Sequence, residues 1–161
     1  MPIAVFSLVA LCSLASGQTE LAGPLTREGL MERLPGWKSQ VDAYSPDLET
    51  VGRLQDVHEA VRVEVFLGTW CPDCRQHVSA WLKLMDMVGN PLITTTYTGI
   101  PRARESRHEY IGDKGVERVP TFIVHFRSRE IGRIIETPKV SVEADLWSIL
   151  APEIGSRRAA T

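Results

Sequence analysis

The chain has 161 residues, 43% hydrophobic and 24% charged, with a formal net charge of -2. Such a length and apolar content suit one soluble domain with a buried core and short extensions. The nearly balanced charge gives none of the large positive field that nucleic acid or anionic lipid attracts, so no nucleic-acid partner is expected.

The first residues, "MPIAVFSLVALCSLASGQTE", hold an uncharged apolar run from Ile3 to Leu14, followed by the small residues Ala15-Ser16-Gly17. The run is shorter than the roughly 20 apolar residues of a bilayer span. It reads as an export signal, residues 1–17, cleaved before Gln18, although no lysine or arginine precedes Arg27. An uncleaved N-terminal anchor is the alternative. Export places the chain in the periplasm or outside the cell, where disulfides persist, with no membrane span in the mature chain. Cleavage also removes Cys12 and leaves Cys71 and Cys74 as the mature cysteines.

Residues 18–25 read as a linker. "LTREGLMERL" (25–34) has helical spacing, with Thr26 as N-cap and Pro35-Gly36 as its stop. "YSPDLETVGRLQDVHEA" (44–60) reads as a second helix, capped by Ser45, with Pro46 in its first turn and Asp47 at its positive end. "VRVEVFLG" (61–68) alternates Val61, Val63 and Val65 with Arg62 and Glu64, the period of a strand. "RQHVSAWLKLMDMV" (75–88) returns to helical spacing, buries Val78, Trp81, Leu82, Met85 and Met87, and stops at Gly89-Asn90-Pro91. A β-branched strand, "LITTTYTG" (92–99), and a polar connection to Arg118 follow. "TFIVHF" and "EIGRIIE" are two strands joined by the turn "RSR", and "SVEADLWSIL" is a final helix from Ser141. The expected organisation is a signal (1–17), an N-terminal linker and helical extension (18–57), one α/β domain (58–152) and a tail (153–161). Its strand–helix–strand unit, hairpin and covering helix give a mixed central sheet flanked by helices.

The chemistry concentrates in "GTWCPDCRQHV" (68–78). A strand delivers Cys71 onto a helix start, where free amide N–H groups and the positive end of the dipole stabilise a thiolate. Cys74 is three residues on, about one turn, so both sulfurs share a side and can form a disulfide. Pro72 suits the first helical turn, where its missing N–H costs little. A disulfide closing so short a loop constrains the unfolded chain little, which makes reactivity a better reason for the pair than stability.

"VFLGTWCPDC" and "RVPTFIVHF" together resemble the active site and the proline-bearing segment of the thioredoxin-like superfamily, closest to exported bacterial members, over residues 58–150. The resemblance implies a thioredoxin fold and a thiol–disulfide oxidoreductase. In that reading Cys71 attacks a substrate disulfide and Cys74 resolves the mixed disulfide. It also implies a cis peptide at Pro120, a Val119 backbone that pairs with extended substrate, and Trp70 bordering the docking surface. Pro72 and Asp73 then tune the redox couple. The implied partners are a disulfide-containing protein substrate and an unidentified electron donor or acceptor; no cofactor or metal is implied, and the chain is expected to be a monomer.

The sequence departs from the family at Val65, which stands where a buried aspartate is common, six residues before the attacking cysteine. Glu64 and His77 are the candidates for proton transfer to and from Cys74. Asp73 opposes thiolate formation, which favours a moderately reducing couple over a strong oxidant. Three other readings compete: a metal-binding module, a redox-inert interaction module and a specialised cytochrome c maturation reductase. The first lacks a second Cys-x-x-Cys or a paired-histidine motif to complete a four-ligand zinc site. Arg102, Arg104 and Arg107 read as a solvated face, and Trp37, Trp81 and Trp147 as core.

Overall fold

A computed structural model of the chain describes residues 20–155, so the expected export signal (1–17) with Cys12 lies outside the described residues, as do residues 18–19 and 156–161. Five strands form one mixed sheet: β1 (Gly23–Leu25), β2 (Val61–Leu67), β3 (Ile93–Gly99), β4 (Thr121–Phe126) and β5 (Arg129–Ile135). Their order is β1-β3-β2-β4-β5. β2 and β3 run parallel, as a strand–helix–strand unit requires, and the remaining pairs are antiparallel. Between them lie the helices α1 (Arg27–Arg33), α2 (Pro35–Ala43), α3 (Leu48–Gln55), α4 (Pro72–Val88), α5 (His108–Ile111) and α6 (Val142–Gly155). The β4–β5 turn places Arg127 at φ 52° and Ser128 at φ 64°, the left-handed pair that suits the twist of a two-residue hairpin.

The sheet is flanked by helices as expected, but unequally. The long helices α4 and α6 pack against each other on one face, above Val63, Val65, Phe122 and Val124. Trp81 of α4 is fully buried there, 5.2 Å from the Phe122 ring, and its Nε1 donates to Thr95 Oγ1 at 3.3 Å. Residues alternate across a strand, so Arg62, Glu64 and Phe66 point to the other face. That face is covered by the 100–120 connection with the short α5; Lys114 lies 5.7 Å above the Phe66 ring.

The N-terminal segment forms more structure than its pattern suggests. Thr26 caps α1 by accepting from Gly29 N at 3.0 Å, as expected. Pro35-Gly36 then opens α2 as well as closing α1, because Pro fits a first helical position where no N–H partner is needed. Trp37 of α2 is 3% exposed, and its carbonyl accepts from Ser79 Oγ of α4 at 3.4 Å. Asp47, not Ser45, caps α3: its carboxylate accepts from Thr50 N at 2.8 Å, which starts the helix at Leu48 and leaves Pro46 ahead of it. The helix ends at Gln55, where Asn90 Nδ2 donates to the carbonyls of Leu54, Gln55 and Val57. Residues 23–25, read as linker, instead form β1 along the edge of β3. α6 runs past Pro152 to Gly155.

Glu143 ties this segment to the far end of the chain. It is 3% exposed on α6 and accepts from Tyr44 Oη at 2.7 Å and from Asp47 N at 3.1 Å. α1–α3 thus form a third layer stacked on α4 and α6. No described helix is long and apolar enough to cross a membrane.

Candidate active site

β2 ends at Leu67, and the next four residues turn the chain into α4 with Cys71 as its N-cap. Ordinary N-caps accept the free helix amides through oxygen; here sulfur does so, with Cys74 N donating to Cys71 Sγ at 3.4 Å. The Cys71 thiol can also donate to Val119 O, 3.5 Å away. Cys74 is fully buried one turn on and its Sγ accepts from Gly68 N at 3.3 Å. Both cysteines are free thiols.

This geometry drives the two sulfurs apart in acidity. The hydrogen bond from the Cys74 thiol pulls the Cys71 pKa down to about 6, against burial and helped by the amides of Cys74 and Asp73. The Asp73 charge pushes Cys71 up, as the sequence suggests, but it is the smallest influence. Burial and the same Cys71–Cys74 hydrogen bond push Cys74 strongly upward. Cys71 is therefore the sulfur that ionises near neutral pH, and Cys74 the one that keeps its proton.

Val119-Pro120 is a cis peptide, both residues are buried, and the Val119 carbonyl faces Cys71. Trp70 is fixed on several sides. Its Nε1 donates to Ile100 O at 3.1 Å, and the guanidinium carbons of Arg102 and Arg107 lie 5.1 and 5.3 Å from its ring. Gly68 leaves the ring its room, since a Cβ there would come within 2.6 Å of it. Thr69, also buried, accepts from Leu21 N at 3.1 Å, so the segment entering β1 is bound to the active-site turn.

The two proton-transfer candidates lie otherwise. Glu64 is held by Lys114 at 2.6 Å and His125 Nε2 at 3.1 Å, with Arg62 also paired to it. Burial pushes its carboxyl up, but the Lys114 and Arg62 hydrogen bonds outweigh this and hold it below the usual range. His77 is half-buried on α4; burial lowers its pKa against the pull of Asp73. Neither side chain hydrogen-bonds to a sulfur among the described residues, and no three His, Cys, Asp or Glu groups converge there as metal ligands would.

Arg107 departs from the solvated face expected of it. It is 9% exposed, with Nε donating to Pro101 O and Nη2 to Arg102 O, both at 3.0 Å. Those carbonyls and the Trp70 ring hold a cation inside that would otherwise reach for water. The Leu21–Thr69 contact has no local sequence signal, because its partners lie 48 positions apart; the Arg107 strut bonds within its own loop, and only its place over Trp70 depends on a distant chain crossing.

A mixed sheet of this order, with a Cys-x-x-Cys at the head of a long helix beside an X-Pro loop, is a thioredoxin-like α/β fold. A family model described as Thioredoxin matches residues 27–145, and the chain belongs to that family. The match takes in α1–α3 as well as the central sheet. Among solved structures the chain is similar to a Pseudomonas aeruginosa protein of unknown function, 18% identical with a TM-score of 0.52, over 76% of this chain and 82% of that one. It is also similar to an HIV epitope-scaffold, 18% identical with a TM-score of 0.49, over 71% of each chain. At such identity the first likeness speaks to fold alone. No curated protein matches the chain.

Proposed function

We propose that the protein is an exported thiol–disulfide oxidoreductase that reduces protein disulfides through Cys71 and Cys74. The observation that carries this reading is the split acidity of the pair: Cys71 is lowered to about 6 by Cys74 and the helix-start amides, while Cys74 stays protonated. The Cys71 thiolate attacks one sulfur of a substrate disulfide, forming a mixed disulfide and releasing a substrate thiolate that takes up a proton. Cys74 then loses its proton and attacks the Cys71 sulfur, closing the Cys71–Cys74 disulfide and releasing the second substrate thiolate. Two electrons pass from dithiol to substrate, and a separate dithiol donor must return them. Trp70, Val119 and Pro120 form the docking surface in this proposal, with the Val119 backbone available to an extended strand.

Reductase duty is favoured over oxidase duty because strong oxidants rest on a far more acidic thiol than one near 6. The reduction potential is expected near the thioredoxin value of about -270 mV and well below the roughly -120 mV of strong periplasmic oxidants. The test is turnover of insulin disulfides by the full chain with dithiothreitol. Cys71→Ser is expected to abolish it, and Cys74→Ser to stop at a trapped mixed disulfide. Turnover that survives Cys71→Ser would falsify the assignment.

A further inference from the structure

Most described arginines away from the dithiol are matched by a carboxylate: Arg118 by Glu136, Arg127 by Glu59, Arg129 by Glu153 and Arg133 by Glu130. On the Trp70 side of the cysteines this pattern breaks. Arg102 and Arg107 lie over the Trp70 ring at 5.1 and 5.3 Å, and neither forms an ion pair with a described residue. Arg104 is exposed beside them and lines, with Arg107 and His108, a cleft of about 310 Å³. Glu117 lines the same cleft, and Glu105, Glu109 and Glu117 all belong to the same connection, yet none of them forms an ion pair with the three arginines. Asp73 is exposed in the first turn of α4, as is Arg75. The rim is thus cationic beside Trp70.

We propose that this cationic rim recognises an acidic side chain of the disulfide-bearing polypeptide, so that the client of the dithiol is an acidic peptide segment. Arg107 is the buried strut that fixes the loop and Trp70. Arg102 and Arg104 are the exposed guanidiniums that meet the carboxylate, for which their planar, multiple N–H donors are well shaped. This inference rests on the docking surface proposed above and specifies its substrate class.

The test uses three synthetic peptides that differ only in the residue flanking one disulfide loop: Glu, Gln or Lys. Oxidation of the reduced full chain by each is followed by stopped flow. The Glu peptide is expected to react about fivefold faster than the Lys peptide at low salt, with the gap closing by about 0.5 M salt. Arg102→Gln combined with Arg104→Gln should shrink the gap below about twofold. Equal rates for the three peptides, or a gap untouched by the double substitution, overturns the proposal. Binding of disulfide-free versions, with Ser for Cys, separates the two readings. A Glu-over-Lys preference in binding without any exchange keeps the rim and overturns the oxidoreductase. Exchange with no charge ranking does the reverse.

Discussion

At Cys71, one sulfur receives a helix amide, a neighbouring thiol and the approach of a backbone carbonyl, and its acidity follows from that company. Alkylation of the reduced protein by iodoacetamide should show one reactive thiol with a midpoint near pH 6, while Cys74 stays silent until far higher pH. The sign of the stability effect is set by the lowered pKa. Below about pH 6 both folded and unfolded Cys71 carry a proton; above it the folded form loses that proton first. The reduced protein should therefore gain stability as pH rises from about 6 toward the unfolded thiol value of about 8.5, and the disulfide form should not. The reduction potential checks the same point electrically: its slope should fall from about 59 to about 30 mV per pH unit on passing pH 6, as one proton fewer accompanies two electrons. His77→Gln and Glu64→Gln should leave the pH profile of the resolving step unchanged, because neither group touches a sulfur. A profile shifted by either one would restore it as proton carrier.

Among the elements, the turn between β2 and α4 is closely packed. Gly68→Ala would drive a methyl into the Trp70 ring, whose nearest atom would lie 2.6 Å away. The ring must then swing, losing its bond to Ile100 and its place under Arg102 and Arg107. We expect a destabilisation of about 1–3 kcal/mol by urea unfolding, together with loss of the Trp70 near-ultraviolet signal. Gly68 gives no sign of this in the sequence, since its constraint comes from the tryptophan folding back over it. Local pattern carries the valine alternation of β2 and, on α4, the burial of Val78, Trp81 and Leu82, and the cis Val119-Pro120 bond is the one the resemblance implies; Met85 and Met87, expected in the same stripe, are only half-buried, with Leu84 and Val88 in the inner positions. The rest needed the third dimension. α2 was hidden because Pro35-Gly36 is both a stop and a start, and β1 because three residues containing Gly and Pro carry no alternation. Ser45 lost the cap to Asp47 because a cap is decided by which side chain reaches a free amide.

For the molecule as a whole, the helical extension is one of three layers. Leu30, Leu34, Trp37 and Leu54 are buried with the core of the domain, and Glu143 joins Tyr44 and Asp47 to α6. Glu143→Ala takes the acceptor from a half-buried hydroxyl and an amide and should cost about 1–2 kcal/mol in chemical denaturation, with Tyr44→Phe costing less. A chain begun at residue 58 removes the outer layer and should melt well below the full chain, with heat-exposed apolar surface visible by dye binding.

The bond between Leu21 and Thr69 brings the polypeptide into the fold two positions before the nucleophile. A segment fused directly to Glu20 through a short flexible linker would therefore start at the active-site turn, at about millimolar effective concentration. A disulfide carried on such a tether would be exchanged as an intramolecular reaction, independent of protein dilution. A fusion placed at Glu20 is thus a built-in reporter, whereas a label for neutral handling belongs on the other terminus.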